Sequence, residues 1–372
     1  MKPSEYPITV TKPFLPNKAA FDKLTDEIWK NRWLTNDGPL LQKFTQVLKN
    51  YTGATNVSTT VNGHMGLDIA IKAEKLKGEI ITTPFSFAST THAIVMNGCK
   101  PVFCDIKEDD YTIDTNQIED LITDDTTAIM PVHVYGYPCD VEKIDKIAKK
   151  YGLKIIYDAA HAFGVKYHGK SLVNYGDISM VSFHATKLFN TIEGGALFYE
   201  DSTLSTRINA YKNFGIINET NIDYIGGNAK MNEFQAAMGL LNMQSINSII
   251  ADRKRITECY RNLLDDIEGI SFHMTEDSAD FEYNYAYFPI IIDEKVFGKS
   301  REYIYNKLKD WNVFTRRYFY PLISDYACYK SLPHKKLPIA KHISDSVLCL
   351  PMYNGLTETD IHLVVDAITS LR

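Results

Sequence analysis

Between residues 54 and 200, short runs of apolar or β-branched residues alternate with stretches of helical periodicity, and this alternation constrains the possible folds more than any other feature. The predicted strands are residues 56–60, 79–83, 101–105, 127–134, 153–158, 178–183 and 196–199. Strands that alternate with helices form a mainly parallel sheet covered by helices on both faces. Ligands of such sheets bind beyond the carboxyl ends of the strands. The pattern therefore predicts an α/β fold with its site along that edge.

The helices between these strands are amphipathic. Residues 65–76 form one of them, and residues 141–151 form another, which places Val141 and Ile144 on one face after Asp140, a residue type that caps helix starts. A helix with one apolar face packs that face against a sheet, so these stretches are predicted to cover the strands.

After the helical stretch 232–255 the sequence pattern changes. Aromatic residues and lysines are mixed through residues 281–293, a second helical stretch covers 300–311, and prolines interrupt the tail. We predict a large α/β domain over residues 1–245, with the N-terminal segment included, and a smaller α+β domain over residues 246–372.

Composition excludes several classes of protein. The 372 residues are 45% hydrophobic and 23% charged, as in ordinary globular proteins, and the net charge of −6 with no dense basic run argues against binding to nucleic acid. The six cysteines lack the spacing of a zinc site or a disulfide scaffold, so no metal is expected. Neither a signal peptide nor a run of about 18 apolar residues is evident, which predicts a cytoplasmic protein that does not bind membranes.

Lys187 is the first candidate for chemistry. It lies in the segment Ser182-Phe183-His184-Ala185-Thr186-Lys187, directly after the predicted strand 178–183, and the pair Gly194-Gly195 opens the next strand. A lysine there lies at the carboxyl edge of the sheet. Most lysines are solvated surface charges, so its significance depends on its neighbours.

Asp158 ends the predicted strand 153–158 and is followed by Ala159, Ala160 and His161. Asp158 could simply cap the following turn, but the small residues after it leave room for a flat ligand. A carboxylate that pairs with a pyridine nitrogen keeps that nitrogen protonated, which allows pyridoxal phosphate to act as an electron sink. Asp158 and Lys187 together match the needs of that cofactor.

The segment Asn62-Gly63-His64 opens the first helix after a strand. Free backbone amides at a helix start bind phosphate, although a glycine before a helix is common in any fold. Phe87 follows another strand end and could stack on an aromatic ring, although a phenylalanine is more often a core residue.

Taken together, these motifs resemble the DegT/DnrJ/EryC1/StrS family of pyridoxal-phosphate-dependent nucleotide-sugar aminotransferases, which have the fold of type I aminotransferases. The resemblance covers nearly the whole chain. The matching motifs are LTNDGP (34–39), NG (62–63), PVHVYG (131–136), DAAH (158–161), SFH (182–184), TK (186–187), EGG (193–195), KMNE (230–233) and TRR (315–317).

The resemblance implies a role for each residue that would bind the cofactor. Lys187 would bind it covalently and move the proton, Asp158 would pair with the ring nitrogen, His161 would approach the phenolic oxygen and Phe87 would stack on the ring. The phosphate-binding residues would be Gly63, His64, Ser182 and, from a second subunit, Asn232. The resemblance thus implies a homodimer with shared active sites.

The resemblance also implies the substrates. The amino donor is expected to be L-glutamate, and the expected acceptor is a dTDP-linked 4-keto-6-deoxy-D-glucose, aminated at C4. The candidate substrate-binding residues are Thr35, His184, Arg316, Arg317 and Tyr320. Of these, the arginines suit a diphosphate because a guanidinium can bind phosphate with two hydrogen bonds. Either arginine could equally be a solvated surface residue.

Two positions depart from the commoner family pattern. His64 stands where many relatives have Thr or Ser, and His161 where many have Gln.

Other functions stay open. Amination at C3 of a 3-keto sugar is the nearest alternative to amination at C4, and a regulatory protein that binds its ligands without turnover is another. Related dehydratases have a histidine at the lysine position, so Lys187 argues against that activity.

Overall fold

The structure is a computed structural model that describes residues 2–273, 278 and 280–372. In this part of the chain the strands are β1 (Ile8–Thr9), β2 (Asn56–Thr60), β3 (Glu79–Thr82), β4 (Lys100–Phe103), β5 (Thr126–Met130), β6 (Lys154–Asp158), β7 (Lys166–Tyr167), β8 (Lys170–Ser171), β9 (Ile178–Ser182), β10 (Gly195–Tyr199), β11 (Ile270–Ser271), β12 (Phe281–Glu282), β13 (Phe288–Ile292), β14 (Val313–Phe314) and β15 (Val347–Leu350).

The α-helices of the same part are α1 (Lys18–Asn31), α2 (Pro39–Thr52), α3 (Gly63–Ala73), α4 (Ala88–Met96), α5 (Thr115–Ile118), α6 (Val141–Tyr151), α7 (Leu204–Tyr211), α8 (Glu233–Met243), α9 (Ile246–Leu264), α10 (Glu294–Phe297), α11 (Arg301–Lys307), α12 (Pro338–Ser346) and α13 (Glu358–Thr369). Among the helices of the described residues, none is both long and apolar enough to cross a bilayer.

The central sheet has seven strands in the order β2-β10-β9-β6-β5-β3-β4. The pairs formed by β3, β4, β5, β6 and β9 are parallel, and β10 is antiparallel to both of its neighbours. The predicted mainly parallel sheet is therefore confirmed. Strand β10 begins at the edge where the parallel strands end, so its first residues reach the same edge.

Alternate side chains of the strands enter separate cores on the two faces of the sheet. In β3, Ile80 packs into the core formed with α3, α4 and α7, whereas Ile81 packs into the core that contains residues of α2 and α6. Strands that bury both faces read as continuous apolar runs. This explains why the central strands could be located from the sequence.

The C-terminal part of the chain builds a second core around the antiparallel sheet β11-β13-β15, which packs with α9, α11 and α13. The N-terminal strand joins this part, because β1 pairs in parallel with β14 and Ile8 is fully buried in the second core. The division of the chain at residue 245 stays a prediction. Strand β1, which lies in the predicted large domain, packs with residues of the C-terminal part.

Candidate active site

A cavity of ≈300 Å³ opens at the carboxyl edge of the central sheet. It lies beyond the ends of β2, β3, β5, β6 and β9, at the edge that the sequence predicted for ligands. The fold brings eight predicted residues to its wall, and these are Gly63, His64, Phe87, Asp158, His161, Ser182, His184 and Lys187. Residues that are up to 124 positions apart in the sequence, from Gly63 to Lys187, therefore share one site.

Asp158 is the last residue of β6 and is buried. Its carboxylate accepts hydrogen bonds from Thr90 Oγ1 at 2.6 Å and from the backbone N–H of Ala160 at 3.1 Å. Burial raises the pKa of Asp158, while these two donors and the positive charge of Lys187 act in the opposite direction. A buried carboxylate held by two donors faces the cavity with a fixed orientation.

Lys187 lies in the turn after β9, where its N–H donates to the carbonyl of His184 at 2.9 Å. Its Nζ donates to the hydroxyl of Tyr287 at 3.2 Å. Burial lowers the pKa of Lys187 to about 8, and the Asp158 charge partly opposes this shift. A lysine with a lowered pKa has more neutral amine near neutral pH, and the neutral amine is the nucleophile.

His161 presents one N–H group to the cavity. The backbone N–H of Tyr135 donates to Nδ1 of His161 at 2.9 Å, and burial keeps the pKa of His161 well below its usual value. The ring is therefore neutral, and its hydrogen lies on Nε2. Such a ring can donate one hydrogen bond to an oxygen of a bound ligand.

The start of α3 has the geometry of an anion site. Asn62 caps the helix by accepting from the N–H of Met65 at 2.9 Å, which leaves the backbone N–H groups of Gly63 and His64 ahead of the first intrahelical bonds. A Cβ on Gly63 would lie 3.0 Å from Cβ of Ser182 and 2.9 Å from Sδ of Met180. Glycine at position 63 is thus required for the close packing of α3 against β9.

Phe87 and His184 stand at the rim of the cavity. Phe87 precedes α4 and is 62% exposed, so its ring has a free face. His184 accepts at Nδ1 from the N–H of Thr186 at 3.2 Å, and its Nε2 lies 3.5 Å from Oε1 of Glu193, the residue before the glycine pair. The rim therefore combines an exposed aromatic ring with polar groups.

A second cavity, of ≈200 Å³, adjoins the first and shares Phe87, Tyr318 and Phe319 with it. The other residues of its wall are Tyr305, Arg316, Arg317, Tyr320 and Tyr326. The predicted substrate residues Arg316, Arg317 and Tyr320 thus lie together beside the first cavity.

The two arginines of this second cavity differ in their environment. Arg317 donates to Oε2 of Glu302 at 2.6 Å, and its guanidinium lies over the rings of Tyr305 and Tyr320. Arg316 is exposed, and no carboxylate of the described residues lies within ion-pair distance of it. Arg316 is therefore the arginine available to an anionic ligand.

Two predicted residues lie outside both cavities. Thr35 is exposed in the segment before α2. Asn232 caps α8, where its Oδ1 accepts from the N–H of Gln235 at 3.0 Å while Gln235 Oε1 accepts from the N–H of Asn232. The cap occupies the side-chain oxygen of Asn232 and leaves its amide nitrogen as a donor. A larger cavity, of ≈660 Å³, contains none of the predicted site residues.

Two residues that contact the central pair were not predicted from the sequence. Thr90, in the first turn of α4, donates to Asp158, and Tyr287, which precedes β13, accepts from Lys187. A tyrosine before an apolar strand and a threonine in a helix carry no distinctive local pattern. Only the tertiary structure shows that they belong to the site.

The residues of the cavity fit pyridoxal phosphate. A buried carboxylate suits the ring nitrogen, a lysine of lowered pKa suits the aldehyde, and the open helix start at Gly63 suits the phosphate. When bound, this cofactor withdraws electrons from the carbon that bears the amino group. Within the described residues, no group of three or more His, Cys, Asp or Glu side chains is arranged to hold a metal ion. Fold and site together define a protein of the pyridoxal-phosphate-dependent class.

Comparison with known proteins identifies the family. The model of the DegT/DnrJ/EryC1/StrS aminotransferase family matches residues 17–369, and the chain belongs to this family of pyridoxal-phosphate-dependent enzymes. The chain is similar to the dTDP-4-amino-4,6-dideoxy-D-glucose transaminase of Shigella dysenteriae, with 44% identity over 369 residues, which is 99% of this chain and 100% of the relative. The enzyme of the same name from Escherichia coli is 45% identical over 358 residues, covering 94% of this chain and 95% of the relative.

Solved structures agree with this assignment. The crystal structure of DesI in the presence of its TDP-sugar product superposes with a TM-score of 0.95 at 33% identity, covering 100% of this chain and 94% of that one. Helicobacter pylori PseC, an aminotransferase involved in the biosynthesis of pseudoaminic acid, superposes with a TM-score of 0.89 at 25% identity and covers 98% of both chains. The predicted fold class and the predicted cofactor are confirmed.

Proposed function

We propose that this protein transfers the amino group of L-glutamate to C4 of dTDP-4-keto-6-deoxy-D-glucose and so makes dTDP-4-amino-4,6-dideoxy-D-glucose, a sugar for O-antigen or other surface-glycan synthesis. The observation that carries this proposal is the full-length similarity, at 44–45% identity, to two enzymes named for that product. The contact network of Asp158 and Lys187 supports turnover rather than binding alone.

In this proposal Lys187 is the residue that bonds to the cofactor and moves the proton at the reacting carbon. Its amine suits both tasks because its lowered pKa makes it a nucleophile and a base near neutral pH. Asp158 would hold the proton on the ring nitrogen, and His161 would donate from Nε2 to the phenolic oxygen. Phe87, which has an exposed face, would cover the ring.

The phosphate of the cofactor is proposed to bind at the start of α3. Gly63, His64 and Ser182 line the cavity there, and backbone N–H groups and a hydroxyl can hold a phosphate without a positive side chain. His64 donates or accepts at Nδ1 toward the Ser89 hydroxyl, 2.9 Å away, so its ring is oriented by the protein. The backbone of His64, rather than a hydroxyl, therefore serves the phosphate.

We assign the diphosphate of the sugar nucleotide to the second cavity and to Arg316. Aromatic side chains line that cavity, and a guanidinium without a carboxylate partner can bind a diphosphate with two hydrogen bonds. Arg317 supports the site indirectly, because Glu302 already neutralises its charge and its guanidinium braces Tyr305 and Tyr320.

A homodimer completes the proposed site. Thr35 and Asn232 lie outside the cavities of their own chain, so a role in binding requires that they face the site of a partner. The amide nitrogen of Asn232 is the group that would donate to the partner's cofactor phosphate, because the oxygen caps α8. We place the dimer in the cytoplasm.

The proposal is tested by identifying the product. The purified protein is loaded with pyridoxal phosphate and L-glutamate and incubated separately with the 4-keto and the 3-keto isomers of the dTDP-linked sugar, and NMR locates the new amine. We expect amination at C4 and no turnover by Lys187→Ala. Amination only at C3 would contradict the regiochemistry, and cofactor binding without turnover of any keto sugar would favour the regulatory alternative.

A further inference from the structure

The hydroxyl of Tyr287 lies 3.2 Å from Nζ of Lys187 and accepts its hydrogen bond. The two residues come from different parts of the chain, because Lys187 follows β9 of the central sheet and Tyr287 directly precedes β13 of the C-terminal sheet. Tyr287 is 8% exposed and lines the same cavity as Lys187. The contact therefore joins the reactive amine to the C-terminal part of the protein.

Tyr287 is held firmly by its neighbours. The backbone on its N-terminal side is fixed by Arg253, which donates to the carbonyl of Ala286 at 2.9 Å, and by Asn284, which donates to the carbonyl of His161 at 2.7 Å. The ring of Tyr287 also packs on the ring of His161, with centroids 4.6 Å apart. Its hydroxyl consequently has a defined position relative to the cavity.

The chemistry of a phenol suits both forms of the lysine. Burial raises the pKa of Tyr287, so the phenol stays neutral under physiological conditions. A neutral hydroxyl accepts a hydrogen bond from the ammonium form of Lys187 and donates one to the lone pair of the amine form. The lysine side chain is a flexible four-carbon stem, and such a stem needs a partner at its end to stay in one position.

We propose that Tyr287 is a positioning residue whose hydroxyl holds the Lys187 amine toward the reacting atoms whenever that amine is not bonded to the cofactor. The inference rests on the proposed role of Lys187. It adds a residue from the C-terminal part of the chain to a site whose other predicted cofactor residues, apart from Asn232, follow strands of the central sheet. Its physical basis is that a small misplacement of a reacting group lowers the rate of its reaction severely.

The test separates the position of the lysine from the integrity of the pocket. Apoprotein of the full chain is mixed with pyridoxal phosphate, samples are reduced with borohydride at set times, and mass spectrometry measures attachment at Lys187. Attachment joins Nζ to the aldehyde carbon and releases one water molecule. The affinity for pyridoxamine phosphate, which has no aldehyde and cannot attach, is measured in parallel. We expect Tyr287→Phe to slow attachment about tenfold or more and to change this affinity less than twofold.

Two further variants control for structural effects. Tyr283→Phe removes the hydroxyl of another buried tyrosine of the same segment, one that donates to the carbonyl of Tyr135 at 2.9 Å. In that variant, the attachment rate and the affinity for pyridoxamine phosphate should change by the same factor. Tyr287→Met removes the same hydroxyl as Tyr287→Phe and should reproduce its selective slowing.

An unchanged attachment rate in a folded Tyr287→Phe or Tyr287→Met protein would overturn the inference. Equal losses of attachment rate and pyridoxamine phosphate affinity would also overturn it, because they would show that Tyr287 only supports the pocket. Wild-type protein that attaches the cofactor at a residue other than Lys187 would instead refute the proposed role of Lys187. None of these measurements depends on the sugar substrate.

Discussion

The lowered pKa of Lys187 makes a quantitative prediction for the apoprotein. At pH 7, an amine with a pKa of about 8 is about one-tenth neutral, whereas an amine with the ordinary value of 10.5 is about 0.03% neutral. The environment of Lys187 thus raises its reactive fraction about 300-fold at pH 7. A change of pH from 7 to 9.5 distinguishes Lys187 from a lysine with the ordinary pKa.

The expected change over this interval follows from the same values. The neutral fraction of Lys187 should rise about tenfold and reach a plateau, whereas an ordinary lysine would gain about 300-fold and still be rising. The sign follows from burial, which disfavours the charged form of an amine and lowers its pKa. Because Asp158 partly opposes that shift, Asp158→Asn should move the midpoint to a still lower pH.

Competitive labelling provides the assay. Apoprotein and a free lysine derivative are exposed together to a trace of acetic anhydride at each pH, and mass spectrometry compares acetylation of Lys187 with that of the free amine. The free amine supplies the reference curve and removes the pH dependence of the reagent. If acetylation of Lys187 rises with pH in parallel with the reference as far as pH 9.5, the argument from burial is wrong.

Three other predictions concern the bound ligands. Asp158→Asn should fold but lose most transamination activity in single-turnover measurements with glutamate, because an amide cannot hold the ring nitrogen protonated; undiminished rates would leave Asp158 a structural cap. Arg316→Ala should raise KM for the sugar nucleotide about 10- to 100-fold, and Arg317→Ala less, with KM for glutamate nearly constant in both; equal effects on both substrates would refute the assignment. Asn232→Asp keeps the cap oxygen of α8 but replaces the amide donor by a negative charge. It should therefore leave thermal stability nearly unchanged and weaken cofactor binding at least about tenfold. Unchanged cofactor binding in calorimetry would remove Asn232 from the site.

Local sequence patterns were sufficient to locate the central sheet and most of the cavity. Strand β2 has the predicted bounds, and α6 covers the predicted residues from Val141 to Tyr151. The reason is that buried parallel strands and amphipathic helices each carry a distinct local periodicity. Residues placed just after such strands meet at one edge whatever the details of the loops, so Asp158 and Lys187 could be paired in advance.

Boundaries were predicted less well where periodicity continues through a turn. The strand predicted over 127–134 is continuous only to Met130, because Pro131 has no N–H to continue the ladder. A single parallel bridge between Val132 and Asp158 follows, and Tyr135 then adopts a left-handed conformation with φ of 56°. The helical stretch predicted over 232–255 is two helices, α8 and α9, which are separated by Gln244 and Ser245. Both halves have helical periodicity, so the break between them has no signature in the apolar pattern.

Contacts between distant segments could not be predicted at all. The pairing of Tyr287 with Lys187, of Thr90 with Asp158 and of Arg317 with Glu302 depends on how separate elements pack. The sequence suggested two equivalent arginines, whereas the structure distinguishes Arg316 from Arg317 by a single carboxylate on α11. These pairings determine which of the candidate residues are free to bind ligands.

The pairing of β1 with β14 also has a consequence for synthesis of the protein. Val313, the partner of Ile8, is translated 305 residues after it (313 − 8), an interval of about 15–60 s at about 5–20 residues per second. During that interval the strands of the central sheet are all made, whereas β1 still lacks its strand partner.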